Sequence, residues 1–211
     1  MKAMHQPICA SLLLLLLLAT VAWAASRITL VAPTSGPPGC CLVINGDGFG
    51  ASQGTKIPSM SMGMINDMQV RAWSNTRIEA IIPGTLEAGL HKVLVYDDSG
   101  RRTHSNSVDY TVVMPRITNV SPNVAAEGDM LTVKGANFGD RLCTKTHVAI
   151  GGHGVHVDAI LLSWSDIGIT VRIPKSERLN PGNAYYVGIS AEGDARWLSN
   201  IDRTFRFEGR R

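Results

Sequence analysis

Short runs of alternating hydrophobic and polar residues recur along most of this chain. Leu42-Val43-Ile44-Asn45 sets Leu42 and Ile44 on one side of an extended segment and Val43 and Asn45 on the other. Leu131-Thr132-Val133-Lys134 does the same more cleanly, with two aliphatic residues against Thr132 and Lys134. A period of two with one polar side predicts sheets that bury a single face. Further strands are predicted over residues 69–72, 77–82, 90–96 and 107–113, and again over 143–151, 155–162, 169–173, 184–190 and 204–207. Asp97-Asp98-Ser99-Gly100 has the composition of a hairpin turn.

The pattern occurs twice. Residues 28–50 return without a gap as 117–139, with identities at Ile28/Ile117, Thr29/Thr118, Val31/Val120, Pro33/Pro122, Gly39/Gly128, Leu42/Leu131, Gly46/Gly135, Phe49/Phe138 and Gly50/Gly139. A repeat of about 90 residues is too long for a solenoid unit and suits a whole small domain. Each copy reads as a strand, a turn, a second strand and a glycine-rich corner. The corner's glycines fit positive φ, and its phenylalanine can plug the end of a core.

The amino terminus breaks this pattern. Lys2, a run of seven leucines within residues 11–21 and the small-residue site Ala22-Trp23-Ala24 read as a signal peptide over 1–25. The apolar run is too short, and too soon followed by that site, for a membrane anchor. Cys9 precedes the leucines, unlike a lipoprotein cysteine. The expectation is a soluble, exported chain, periplasmic or extracellular, with no membrane insertion after cleavage. About 186 residues then remain of the 211, which the repeat divides into domains at 26–113 and 117–208. Val113-Met114-Pro115-Arg116 is a short, proline-containing linker, so the domains should sit end to end with little swing. Net charge is +3, or +2 without Lys2, which is too mild for a nucleic-acid partner. Aromatics make up 6% while 21 glycines and 10 prolines mark frequent turns, as in sandwiches of short strands.

The repeated motifs resemble the IPT/TIG family of immunoglobulin-like domains, found in surface receptors, Rel-type transcription factors and secreted bacterial proteins. The resemblance rests on Pro33 to Gly39 and Pro122 to Gly128, and on the Gly-x-x-Phe-Gly corners. It rests also on Trp73-Ser74 and Trp164-Ser165 before strands ending at Pro83 and Pro174, and on Ser105-Asn106 and Ser199-Asn200 before the last strands. It implies an all-β fold of two tandem immunoglobulin-like sandwiches of the exported bacterial type, in which these motifs are structural and Trp73 and Trp164 belong to the cores. The leader and the weak charge speak against the transcription-factor branch.

In such sandwiches the first turn and the loop after the second strand lie at opposite poles. Cys40 and Cys41 of the first domain and Cys143 of the second therefore point at the junction. Three cysteines remain after the leader, so one bridge and one leftover thiol are expected in an exported protein. Cys40 or Cys41 bonded to Cys143 would lock the domains. The alternatives are a strained Cys40–Cys41 bridge, or cysteines that stay unpaired or bond between molecules. Trp197 belongs to the same pole and reads either as packing against the first domain or as an exposed binding aromatic.

Candidate chemistry is sparse. Met60, Met62 and Met64 alternate with small residues, so in a strand three thioethers would line one face, a soft set suited to Cu(I) or simply to the core. His147, His153 and His156 surround Gly151-Gly152; they read as a solvated hairpin, with a divalent metal as the alternative. Gly46-Asp47-Gly48-Phe49-Gly50 has no following helix and is no phosphate loop. No nucleophile motif, carboxylate pair or Cys-His couple suggests an enzyme, and no cofactor is called for. The free pole of the first domain carries loop 47–55 and a hairpin with Arg101, Arg102 and His104, a candidate partner-binding surface. The expected function is a non-catalytic binding or spacer module toward a protein or glycan at the cell envelope. The alternatives are a periplasmic copper-handling protein and accessory domains of a polysaccharide-active system.

Overall fold

In a computed structural model, residues 25–99, 103–139, 146–191 and 196–209 are described. The first half forms β1 (Arg27–Ala32), β2 (Ser35–Gly36), β3 (Cys41–Asp47), β4 (Lys56–Ser61), β5 (Ile65–Asp67), β6 (Gln69–Trp73), β7 (Arg77–Ile81), β8 (Gly89–Asp97), β9 (Thr103–His104) and β10 (Val108–Val112). The second half forms β11 (Arg116–Ser121), β12 (Val124–Ala126), β13 (Met130–Ala136), β14 (Thr146–Gly152), β15 (Val155–Asp158), β16 (Ile160–Ser165), β17 (Gly168–Arg172), β18 (Ala184–Ala191) and β19 (Thr204–Glu208). The described residues contain no helix, and therefore none long and apolar enough to cross a membrane.

Each half stacks two sheets. β1-β3-β7-β6 faces β2-β10-β8-β4-β5, with β9 on β8; β11-β13-β17-β16 faces β12-β19-β18-β14-β15. Neighbours are antiparallel except at β2/β10 and β12/β19, which are parallel. The period-two pattern accounts for the layers: Leu42 and Ile44, like Leu131 and Val133, are fully buried between the sheets. Two separate cores result. One gathers Leu42, Ile44, Phe49, Met60, Ile78 and Tyr110, and the other gathers Leu131, Val133, Phe138, Ile150, Tyr185 and Phe205.

The repeated motifs make repeated contacts. Asn106 accepts from the Ile28 N–H at 2.7 Å and donates to the Ile28 carbonyl at 2.9 Å. Asn200 does the same to Ile117, at 2.6 and 2.9 Å. Beside each, a serine hydroxyl takes the N–H of the preceding strand: Ser105 from Val95 at 3.0 Å and Ser199 from Ile189 at 2.9 Å. The Ser-Asn pairs thus tie the first strand of each sandwich to the opposite sheet. At the corners, Trp73 Nε1 donates to the Gly50 carbonyl and Trp164 Nε1 to that of Gly139, both at 3.0 Å. Each indole meets the corner phenylalanine edge to face, Phe49 at 6.2 Å and Phe138 at 6.4 Å. Both tryptophans pack on the cores, as the resemblance implied.

Two expectations need correction. The stretch 155–162 is not one strand: it breaks at Ala159, so β15 pairs in one sheet and β16 in the other. Met68 makes the same break between β5 and β6. Both break residues donate to a carbonyl of the strand paired with β5 or β15, Met68 to Pro58 on β4 and Ala159 to Val148 on β14, each at 2.8 Å, where the chain passes from one layer to the next. A period-two pattern passes through such a crossing unchanged.

The methionine stripe also does not form. β4 ends at Ser61, and Gly63, at φ 93°, turns the chain back. Met60 is fully buried in the core, whereas Met62 and Met64 stand exposed at the hairpin tip. The three thioethers share no face.

Candidate functional site

Three surfaces carry the residues singled out from the sequence. The first is the junction. Ser35, Pro37, Cys40, Cys41 and Val113 of the first half line one pocket of about 590 Å³ with Asn137, Gly139, Trp164 and Asp166 of the second. Approach is close: a Cβ on Gly139 would lie 2.1 Å from Cys40 Sγ, and one on Gly39 would lie 2.9 Å from Thr146 Cγ2. Arg196 adds donors to the Gly84 carbonyl at 2.5 Å and the Thr85 carbonyl at 3.5 Å. Cys40 and Cys41 are both buried. Cys143 lies outside the described residues. Near Cys40, burial pushes the Tyr110 hydroxyl pKa well up, and the hydroxyl finds no hydrogen-bond partner among the described residues.

The second surface is the far end of the first sandwich. β3 runs from Cys41 at the junction to Asp47 at this end, where β8 finishes at Asp97. Lys56 Nζ donates to the Gly48 and Phe49 carbonyls at 2.6 and 3.0 Å and closes the glycine corner. The Thr55 hydroxyl at 2.8 Å and the Ser99 N–H at 3.0 Å hold the Asp97 carboxyl below the usual carboxylate range. His104 is exposed on β9, and its Nδ1 lies 2.7 Å from the Ser105 carbonyl, so Nδ1 carries a proton. Arg101 and Arg102 lie outside the described residues.

The third surface is the outer face of β14, β15 and β18. Val148 and Ile150 point into the core, which turns His147, Ala149 and Gly151 outward. Gly151 pairs with His156 and Ala149 with Asp158, so His147, His156 and Asp158 share that face. His147 Nε2 lies 3.1 Å and His156 Nε2 3.8 Å from Asp158 Oδ1. Trp197 lies over Gly188, where a Cβ would meet the indole at 2.3 Å. Its ring centroid is 5.0 Å from His156 and 5.3 Å from Tyr186. Trp197 thus packs against its own sheet, while its neighbour Arg196 reaches the first half. His153 separates from the other two: it sits in the turn with φ 52°, against Tyr185 at 5.6 Å, near the Ala184 carbonyl. The sequence sets His147, His153 and His156 around one turn, and the structure brings Asp158, rather than His153, beside the other two. Only the strand register brings in Asp158, and the one visible signal was the His-x-Asp alternation of residues 156–158.

Two stacked antiparallel layers in each half, with these corner and Ser-Asn contacts, define an immunoglobulin-like protein. Residues 115–205 match the model of the IPT/TIG domain. The plexin A4 extracellular region, domains 1 to 8, is similar over 96% of this chain and 20% of its own, with 18% identity and a TM-score of 0.61. A second plexin A4 structure, domains 1 to 10, aligns over 98% and 17% at 18% identity and a TM-score of 0.62. The chain thus spans about a fifth of the plexin chains it resembles, and at this identity the likeness is one of fold. A Bacteroides ovatus protein of a mixed-linkage glucan utilization locus, solved with a mixed-linkage heptasaccharide, aligns over 90% of this chain and 48% of its own at 16% identity, with a TM-score of 0.35. No curated protein matches.

Proposed function

We propose that this chain is an exported, non-catalytic binding module in which two IPT/TIG sandwiches, residues 26–113 and 117–208, act as one stiff body after removal of a leader at 1–25. Its partner is a protein or glycan of the cell envelope, met by the far end of the first sandwich through Arg101, Arg102 and His104. The observation that carries this reading is the junction. Pocket-lining residues from both halves and the Arg196 contacts to Gly84 and Thr85 use up the inner poles. A fixed junction presents the loops of the opposite pole at a set distance and angle, which favours recognition on a rigid scaffold.

A disulfide from Cys40 or Cys41 to Cys143 belongs to the same proposal. Gly139 and Thr146 flank the segment that holds Cys143, and each closes on residues 39–40. A bridge there would restrain the junction covalently.

The test is capture from envelope and culture-medium fractions by the exported chain, beside an Arg101→Ala/Arg102→Ala/His104→Ala variant, with insoluble glycans as a parallel arm. A protein or glycan retained by the native chain and lost by the variant supports the reading. Equal retention by both moves the site away from this pole, and retention by neither on any arm leaves a spacer without a partner.

A further inference from the structure

Beyond the binding reading, and independent of it, we propose that His147, His156 and Asp158 form a binding site for a borderline divalent transition cation, Zn²⁺ or Cu²⁺. Two imidazoles and a carboxylate suit such ions, and three protein ligands leave a position for water. The ligand atoms of the three residues all lie within 4.8 Å of one another. Four-coordinate zinc with bonds of about 2.0–2.1 Å holds its ligands about 3.4 Å apart. Asp158 Oδ1 already stands 3.1 and 3.8 Å from the two Nε2 atoms. Asp158 is 68% exposed, while the histidines are only 26% and 34% exposed.

The histidines are held from outside the trio. Trp197 covers the His156 ring, His147 and His156 meet edge to face at 6.1 Å, and Arg178 donates to the His156 carbonyl at 3.1 Å. Packing of this kind fixes ligand rotamers before the ion arrives.

The other half supplies an internal comparison. Ser59 pairs with Asp67 as Ala149 pairs with Asp158, and Ser61 with Ile65 as Gly151 with His156. The equivalents of His147 and His156 are therefore Ile57 and Ile65, beside an aspartate in the same place. The strands tolerate isoleucine at both positions, so the fold itself does not demand histidine. In the first half Asp67 accepts instead from the Ser59 hydroxyl at 2.8 Å.

The experiment uses the untagged exported chain stripped with EDTA. Zn²⁺ is expected to raise its thermal transition and to titrate one equivalent per chain. His147→Ala, His156→Ala and Asp158→Asn should each weaken binding by more than about tenfold, the loss already typical of an outer-shell partner. His153→Ala should bind as the native chain does. Cu²⁺ should quench Trp197, and Trp197→Phe should lose that quenching. Absence of a Zn²⁺ shift and of binding heat in the native chain overturns the proposal. So does an equal shift in a His147→Ala/His156→Ala variant whose metal-free transition is unchanged.

Discussion

Asn200→Ala tests the energetic reading of the Ser-Asn motif. The Asn200 side chain satisfies both backbone groups of Ile117, a residue with no solvent exposure, through bonds of 2.6 and 2.9 Å. Truncation leaves one N–H and one carbonyl without partners, at about 1–3 kcal/mol each. Asn200 is itself half-buried, so water recovers part of this, and a net loss of about 2–4 kcal/mol is expected. For a domain of this size each kcal/mol moves the midpoint by roughly 4–8 °C, so the second sandwich should melt about 8–32 °C lower. Calorimetry resolving the two sandwiches is the assay, with Asn106→Ala shifting the other transition. A loss below about 0.5 kcal/mol, the scale of an ordinary surface substitution, refutes the reasoning.

Three further outcomes follow from the same contacts. Met60→Ala should destabilise the first sandwich by about 2–5 kcal/mol in urea, whereas Met64→Ala at the exposed tip should stay within about 0.5 kcal/mol; equal effects would restore a shared face. Non-reducing peptide mapping should recover a peptide containing Cys40 and Cys41 joined to one containing Cys143, and a map without that linkage removes the covalent part of the junction. The Asp97 carboxyl, lowered by the Thr55 and Ser99 bonds, contributes stability above its unfolded-state pKa that is lost as pH falls through the lower folded value. Thr55→Val should raise the Asp97 pKa in an NMR titration, and an unmoved titration would remove Thr55 as the cause.

Much of the architecture was legible because it is written twice and locally. The Leu42/Leu131 alternation, the corner phenylalanines and the Ser-Asn pairs are each short motifs present in both copies, and the structure places them equivalently even where, as at Asn106 and Asn200, the contact spans the sandwich. Asn137, at φ 60°, even stands where the other copy has Gly48 at φ 73°. What escaped depends on register between strands. The crossings at Met68 and Ala159 leave the alternation intact, and His147 meets Asp158 only because β14 pairs with β15 at Ala149. The methionine stripe failed for a local reason, since Ser-Met-Ser-Met-Gly-Met alternates as well through a turn as through a strand. Trp197 escaped because its place depends on Gly188, which leaves room for the indole on the sheet.

The junction is the claim on which the functional account rests most heavily, and ¹⁵N relaxation of the chain under oxidising conditions tests it directly. The account predicts one rotational diffusion tensor that fits the amides of both sandwiches, with residues 113–116 as rigid as the flanking strands. Separate, faster tumbling of the two sandwiches, with elevated linker mobility, would contradict it.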